Sequence, residues 1–412
     1  MKKWCRLGDV TTKIGSGITP RGGQSGYIAE GVPLIRSQNV HLLRFVPKGL
    51  AHISAAQDAE MVQSRVRPND VHLNITGASI GRVCVAPATV CPANVNQHVS
   101  IIRPKETELH PSYLAAYLAS PGFQEFIRES QAGATRQALT KEMLQEFAIP
   151  HVPMAEQERI ASELTSAMAT VETARRAAEE RLAAAETLPT AYPRDVFGST
   201  GGLSASPVLP SVPIHPDWTW HPLRTLARLA TGHTPSRRHP EFWKGDIPWL
   251  QLPDIRAVDA RRVFSTAEYT NMLGISNSAA VLLPRDTVCL SRTASVGFVT
   301  ILGREMATSQ DFVNWVCGPE LVPDFLMWLL IASRRYVRDL GSGATHHTIY
   351  FPTVEAFSVC VPSWDEQRRL AAELSERIAL AGKLIAHCRA ELEAIDALPA
   401  ALLREVFGGA EA

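Results

Sequence analysis

Two stretches of the chain place apolar or small residues at alternating spacings of four and three. In the first, Ile160, Leu164, Ala167, Val171, Ala174, Ala178, Arg181 and Ala185 follow that rhythm. The second gives Leu370, Leu374, Arg377, Ala381, Leu384, Cys388, Glu391 and Ile395, with Ile378 and Leu392 beside charged members. A series of this kind lines one face of a helix and reads as a coiled-coil seam. Neither run contains proline between its Glu-Gln pair and its Leu-Pro pair, so each predicts a helix of about 30 residues, about 45 Å long. Alanine at many seam positions of the first run lets helices approach closely. The two helices can pack on each other, antiparallel if a pseudo-two-fold axis relates them, or each can lie on its own domain.

These helices belong to a long internal repeat. EFAIPHVPMAEQERIASEL is answered 210 residues later by EAFSVCVPSWDEQRRLAAEL, so that Glu156, Gln157, Arg159, Glu163 and Leu164 return as Glu366, Gln367, Arg369, Glu373 and Leu374. LPTAYPRDVFG from Leu188 returns at the same offset as LPAALLREVFG from Leu398. A period this long marks a duplicated domain rather than a solenoid. The front of each half repeats more loosely. Trp4 and Leu7 match Trp220 and Leu223, and GSGITP at 15–20 matches ATGHTP at 230–235. Residues 32–35 match 247–250, Asn69-Asp70 matches Arg285-Asp286, and residues 76–81 match 292–297, with an offset that drifts from 216 to 210. A shared frame with differing loops suits a pair of related binding modules with different specificities.

The pattern divides the chain into residues 1–153, a helical repeat at 154–200, a linker at 201–217, a second module at 218–362 and a second helical repeat at 363–412. The linker, rich in Ser, Gly and Pro without periodicity, marks the boundary between halves. At 412 residues and 45% hydrophobic content the chain can bury two or three cores. No apolar run approaches the roughly 18 residues of a membrane span, and no leader precedes the first module, so a cytoplasmic protein without membrane contact is expected. Seven scattered cysteines without a CxxC pair argue against disulfides and a zinc site and read as small buried residues.

Net charge is zero, but unevenly spread. Residues 1–150 hold 16 basic and 11 acidic side chains, residues 201–360 hold 14 and 13, and the two tails hold 5 against 8 and 6 against 9. The front regions therefore carry the positive balance. So weak an excess predicts poor DNA binding by this chain alone at physiological salt.

No catalytic motif is present: GxxxxGK[ST], GxSxG, HExxH and an Asp-Pro-Pro-aromatic segment are all missing. His346-His347 point to opposite faces if extended, which suits a surface or base-contacting role better than a metal site. Asp254, Asp259 and Glu268 lack the Glu-x-Lys that would complete a nuclease centre. The chain reads as a non-catalytic recognition component.

Taken together, the aromatic start, G-x-T-P (17–20 and 232–235), the Ile-Pro-like strand, the polar-Asp step, the turn ending at Gly81 and Gly297, and the Pro-x-x-x-Glu-Gln helix start occur in order, twice. In this the chain resembles the DNA-specificity subunit of type I restriction-modification enzymes over essentially its whole length. The resemblance implies an α+β fold: two tandem, pseudo-two-fold-related target-recognition domains of mixed β-sheet and short helices, separated by two long helices forming an antiparallel coiled coil. It implies a bipartite, asymmetric target on double-stranded DNA. It also implies two modification (methyltransferase) subunits and restriction (translocase/nuclease) subunits as partners, with S-adenosylmethionine, ATP and Mg on those partners and no cofactor or metal on this chain.

Arginine suits guanine, and asparagine or glutamine suits adenine. The candidate base readers are accordingly Arg36, Gln38, Asn39, Ser79, Arg82, Asn96, Gln97, His98, Thr135, Arg136 and Gln137 in the first module. In the second they are Gln251, Arg256, Arg292, Ser295, Ser309, Gln310, Thr345, His346 and His347. The same side chains could hold phosphates, which position without specifying. Two other classes remain: a solitary DNA-binding protein, which should be strongly basic, and a scaffold that reads no DNA.

Overall fold

Apolar alternation in the front of each half builds small sheets, and the 3.6-residue stripes build the long helices. The computed structural model describes residues 3–131, 138–198, 201–341 and 347–408. They form two compact units, Met1–Glu179 with Ala390–Ala412, and Glu180–Arg389.

In the first unit, besides a small hairpin of Val40–His41 with Arg44–Phe45, the strands are β1 (Lys3–Arg6), β2 (Thr11–Ser16), β3 (Val32–Ile35), β4 (Ala51–Ile53), β5 (Arg65–Val66), β6 (Val71–Asn74), β7 (Val83–Val85), β8 (Ala93–Val95) and β9 (Val99–Pro104). Helix α1 (Pro111–Ala119) and strand β10 (Ala148–His151) follow, and helix α2 (Met154–Phe197) leaves the unit. One sheet has the order β4-β3-β8-β5, a second β2-β9-β6-β7, and β1 pairs with β10. Strands β3 and β8 run parallel, with Leu34 beside Asn94 and Ile35 beside Val95. Alternation along β6 sends Val71 and Leu73 into the core under α1, with Tyr113, Leu114 and Leu118. It sends His72 toward the core between the two sheets, where Ile35, Cys84, Val95 and Ile101 are buried.

The second unit repeats this plan with β11 (Leu203–Ser204), β12 (Thr219–Pro222), β13 (Ala227–Thr231), β14 (Ile247–Leu250), β15 (Arg262–Val263), β16 (Glu268–Thr270), β17 (Val288–Ser291), β18 (Val299–Leu302), β19 (Ala307–Thr308) and β20 (Phe312–Cys317). Helix α3 (Pro323–Ala332), strand β21 (Ser358–Val361) and helix α4 (Trp364–Phe407) complete it. The sheet orders are β16-β14-β19, β13-β20-β17-β18-β15 and β11-β21-β12. Here too a parallel pair, β14 with β19, lies at the same place, and β15 also runs parallel to β18.

The long helices extend past the expected stop. α2 and α4 each span 44 residues and run through Pro189, Pro193 and Pro399. An interior proline costs a helix about 3 kcal/mol, and here burial of the last turn offsets it. Phe197 packs on Trp218 and Phe325 in the second unit, and Phe407 packs on Tyr113 and Tyr117 in the first. Each core thus takes the end of the helix that began in the other half.

Within each unit the two helices run antiparallel. In the first, Ile160, Leu164 and Met168 share a core with Leu402, Leu403 and Phe407, while Arg175 bonds Asp396 at 2.8 Å. In the second, Arg389 bonds Glu186 at 2.7 Å and Arg377 lies over Tyr192.

The predicted seam needs correction at three positions, Arg181, Arg377 and Leu384. Leu164, Ala178, Ala185, Leu370, Leu374, Ala381 and Cys388 are buried, and Ile160, Val171, Ala174 and Ile395 are half-buried. Leu384, however, is 45% exposed, and Arg181 and Arg377 are exposed, while Leu182, Ile378 and Ile385 turn inward one residue later. A helix that leans on a domain as well as on a partner helix buries a wider stripe than a two-position seam.

Candidate nucleic-acid interface

The ends of the parallel strand pair gather the polar loops. In the first unit, β3 and β8 end at Ile35 and Val95, and the G-x-T-P segment crosses behind them. A Cβ on Gly17 would lie 1.7 Å from the Val95 carbonyl oxygen, so the close approach demands glycine. The Gly17 N–H donates to Asn96 O at 3.2 Å and Val99 O at 3.3 Å. Ile75 N donates to His98 O and Leu139 N to Ile75 O, both at 3.0 Å, which brings the loop after β6 and the segment at 138–140 to the same rim. The second unit is assembled the same way. A Cβ on Gly232 would lie 2.0 Å from Ser309 O, Arg292 N donates to Asp311 O at 2.8 Å, and Ile349 N donates to Arg292 O at 2.9 Å.

These bonds correct the repeat register by one residue. Ile75 and Arg292 hold the same place, as do Asn74 and Ser291, which accept from Gly81 N and Gly297 N. Asn69 (φ 71°) and Asp286 (φ 67°) share the left-handed turn before β6 and β17. The motif pairs at 69–76 are therefore 217 residues apart, and the second loop is one residue shorter. The sequences hide this because Ala-Ser, a branched aliphatic residue and Gly coincide at an offset of 216, Ala78 to Gly81 against Ala294 to Gly297.

Several candidates in the first unit serve the loops themselves. Asn39 is fully buried, accepting from Arg36 N at 3.0 Å and donating to Val46 O at 2.9 Å. Asn96, 8% exposed, accepts from His98 N. Both shape the rim and are corrected from base readers to supports. Ser79 accepts from Asn74 Nδ2. Half-buried Arg36 donates to Gly49 O at 2.7 Å and lies over the Tyr27 ring, and exposed Gln38 donates to the same carbonyl. His98 contacts Thr76 Oγ1 at 2.6 Å and Gln97 Nε2 at 3.0 Å. Arg82 and Gln97 are exposed at the same rim.

The second unit sorts similarly. Ser295 and Ser309 are buried and act as supports, Ser295 receiving Arg256 Nε at 2.9 Å and Ser309 donating to Asp311. Gln251 begins a short helix and its N–H donates to Asp254, while Gln310 accepts from Thr234 at 2.5 Å. His347 approaches Arg338 O at 2.6 Å. Arg292 occupies the position that Ile75 fills in the first unit, with its guanidinium over the Phe351 ring at 4.6 Å and Nη1 donating to Ile349 O. Its Nε is buried without a partner among the described residues, and burial holds its pKa below the usual arginine range. Thr135, Arg136, Gln137, Thr345 and His346 lie outside the described residues.

The carboxylates considered as a nuclease centre are each otherwise engaged. Asp254 caps its helix, Asp259 pairs with Arg334 at 2.7 Å, and Glu268 pairs with Arg237. That last pair was not foreseen: Arg237 stacks on Trp243 at 3.8 Å and Trp249 at 5.0 Å, and its ion pair lowers the Glu268 pKa. The signal available was an Arg-Arg step close to two tryptophans.

The strongest sequence motif turns out to be a latch. Gln157 is fully buried, accepting from His110 N at 2.9 Å and donating to Glu108 O and Val152 O. Gln367 repeats this with Val322 N, Glu320 O and Pro362 O. The neighbouring Glu156, Arg159 and Glu163 form a surface ladder, as do Glu366, Arg369 and Glu373.

Two domains on one frame, each with differing polar loops at the end of a parallel strand pair and joined through long helices, define a two-module recognition protein. The chain belongs to the family described as type I restriction modification DNA specificity domain, which matches residues 32–181 and 216–394. It is 26% identical over 161 residues to the type I restriction enzyme MjaIX specificity subunit of Methanocaldococcus jannaschii, covering 39% of this chain and 37% of that protein. It is 28% identical over 132 residues to the HindI specificity subunit of Haemophilus influenzae, covering 31% and 28%. The aligned stretches thus span well under half the length of these relatives. Among solved structures, a chain from work on complex assembly and conformational transition of the type I R-M system matches with TM-score 0.72 and 18% identity over 98% of this chain and 97% of that one. The HsdS subunit from Thermoanaerobacter tengcongensis matches with TM-score 0.67 and 17% identity over 98% and 96%. These two likenesses bear on fold alone. Among the described residues no helix is long and apolar enough to cross a membrane.

Proposed function

We propose that this chain is the sequence-specific DNA recognition subunit of a type I restriction-modification complex and performs no catalysis itself. Each unit reads one part of a bipartite, asymmetric duplex target. Two modification subunits bring S-adenosylmethionine to the site, and restriction subunits bring ATP and Mg, in the cytoplasm. The observation that carries this reading is the exchange at one frame position, Ile75 for Arg292, at the rim of two loop clusters built on the same backbone frame. A frame held constant while rim chemistry changes gives two different half-site specificities. An arginine whose guanidinium is held on an aromatic ring at the rim is suited to the acceptor edge of guanine.

Methylome sequencing of cells expressing this chain with its cognate modification subunit tests the reading. A new modification confined to an asymmetric two-part motif is expected, and exchanging residues 218–362 for those of another member should change one half only. A complex that forms yet marks no motif would favour a scaffold that reads no DNA.

A further inference from the structure

The two units close the same strand edge in different ways. In the second, residues 201–214 fold back over the unit. Leu203 pairs with Val359 and Ser204 with Ser358, which adds β11 to the edge of β21. Cys360 N donates to Gly202 O at 3.0 Å, Ser333 donates to Gly201 O at 2.9 Å, and Trp220 Nε1 donates to Val212 O at 2.9 Å. Leu203 and half-buried Ile214 join the core, and Ser358 is left 4% exposed.

No described strand covers the matching edge of β10 in the first unit. Tyr117 Oη donates to Ala148 O at 3.2 Å and Tyr113 Oη to Pro150 O at 3.0 Å, where the second unit has Leu329 and Phe325 on α3 and no hydroxyl to offer. Pro150 stands where Cys360 donates its N–H, so this edge has lost that donor. The carbonyls are therefore satisfied from within, but the apolar surface beside them stays open. Trp4, Tyr117, Phe123, Phe126, Phe147 and Phe407 line a groove of about 610 Å³. Trp4 is 36% and Phe126 51% exposed, and Ala148 is exposed where Ser358 is covered. Glu125, Glu129 and Arg404 line the same groove, and Glu125 is paired with Arg128.

We propose that this groove takes an extended apolar segment of a modification subunit, in the place that residues 201–214 occupy on the second unit. The second unit supplies the template for the occupant: a short extended run with aliphatic anchors, like Leu203 and Ile214. Because the edge carbonyls are already capped, the segment binds by side chains set among the aromatic rings rather than by a full ladder of strand hydrogen bonds. A lysine or arginine flanking the anchor would meet Glu129. The two modification subunits then meet non-equivalent surfaces, one groove filled in cis and one in trans. The partner's identity rests on the function proposed above, whereas the open groove does not.

Phe126→Glu tests it, since a half-exposed side chain can be exchanged without opening the core. With purified chain and modification subunit, native mass spectrometry should show one of two modification subunits bound at least tenfold more weakly, with the thermal melt of the free chain unchanged. A benzophenone amino acid at position 126 should crosslink to an apolar segment of the modification subunit. Unchanged affinity for both copies, or a crosslink to residues 201–214 of a second copy of this chain, overturns the proposal. If the groove variant alone fails while the wild-type complex still directs modification to a two-part motif, the wider reading stands. If no complex forms with the wild-type chain, both fall.

Discussion

His72 is the residue whose setting departs furthest from what its chemistry prefers. It is fully buried on β6, neither ring nitrogen finds a partner among the described residues, and burial pushes its pKa down to about 4. The folded protein therefore holds it neutral, while the unfolded chain protonates it near the ordinary value of about 6.5. Between those values the unfolded state binds more protons, so stability is full above about pH 6.5 and falls as pH drops toward 4. The shift corresponds to about 3 kcal/mol at its limit. Urea denaturation from pH 7.5 to 4 should show this loss in the wild type, and His72→Leu should remove this component of the slope. An equal slope in both would show that His72 is not the group responsible. Its counterpart on β17 is Cys289, whose thiol is likewise buried and driven upward by desolvation, so the frame demands a small or neutral group at this place and tolerates histidine only uncharged.

At the scale of elements, the start of each long helix depends on the latch glutamine more than on the charges beside it. Removing Gln157 would leave His110 N, Glu108 O and Val152 O without their partner in a buried place. The expected cost of Gln157→Ala is about 1 to 3 kcal/mol. Glu156→Ala should leave the denaturation midpoint unchanged, because exposed ion pairs contribute little. Chemical denaturation of the two variants distinguishes them, and a larger loss at Glu156 would contradict the latch. The same contrast explains why the motif was visible in the sequence while its role was not. Repetition flagged Glu and Gln equally, and only burial separates them.

At the scale of the whole molecule, duplication is the governing fact, and the exchanged helix ends are its consequence. Each helix begins on its own module and finishes in the other unit's core, so both helices are needed to complete either core. The distance along α2 between its two anchors is then a property of helix length. Inserting four residues near Ala178 adds about 6 Å of helix, and the expected result is a longer nonspecific spacer with both recognised halves unchanged, read out by methylome sequencing. The original spacing in such a variant would show that the helix does not set it.

The sequence by itself determined the duplication, the long helices, the loops that carry polar chemistry and the family, because each is written in local periodicity or in order along the chain. The strand ends that gather residues 36–39, 75–82 and 96–98 could be suspected from their polarity. Tertiary structure alone decided which of these side chains face outward. Asn39, Asn96, Ser295 and Ser309 look like Arg82 and Gln97 in a sequence, yet burial turns the first four into supports. Helix ends that run through prolines, an inward stripe that passes over Leu384, and a one-residue slip placing Arg292 opposite Ile75 were equally hidden. Each follows from packing between residues far apart in the chain, where burial outweighs local preference.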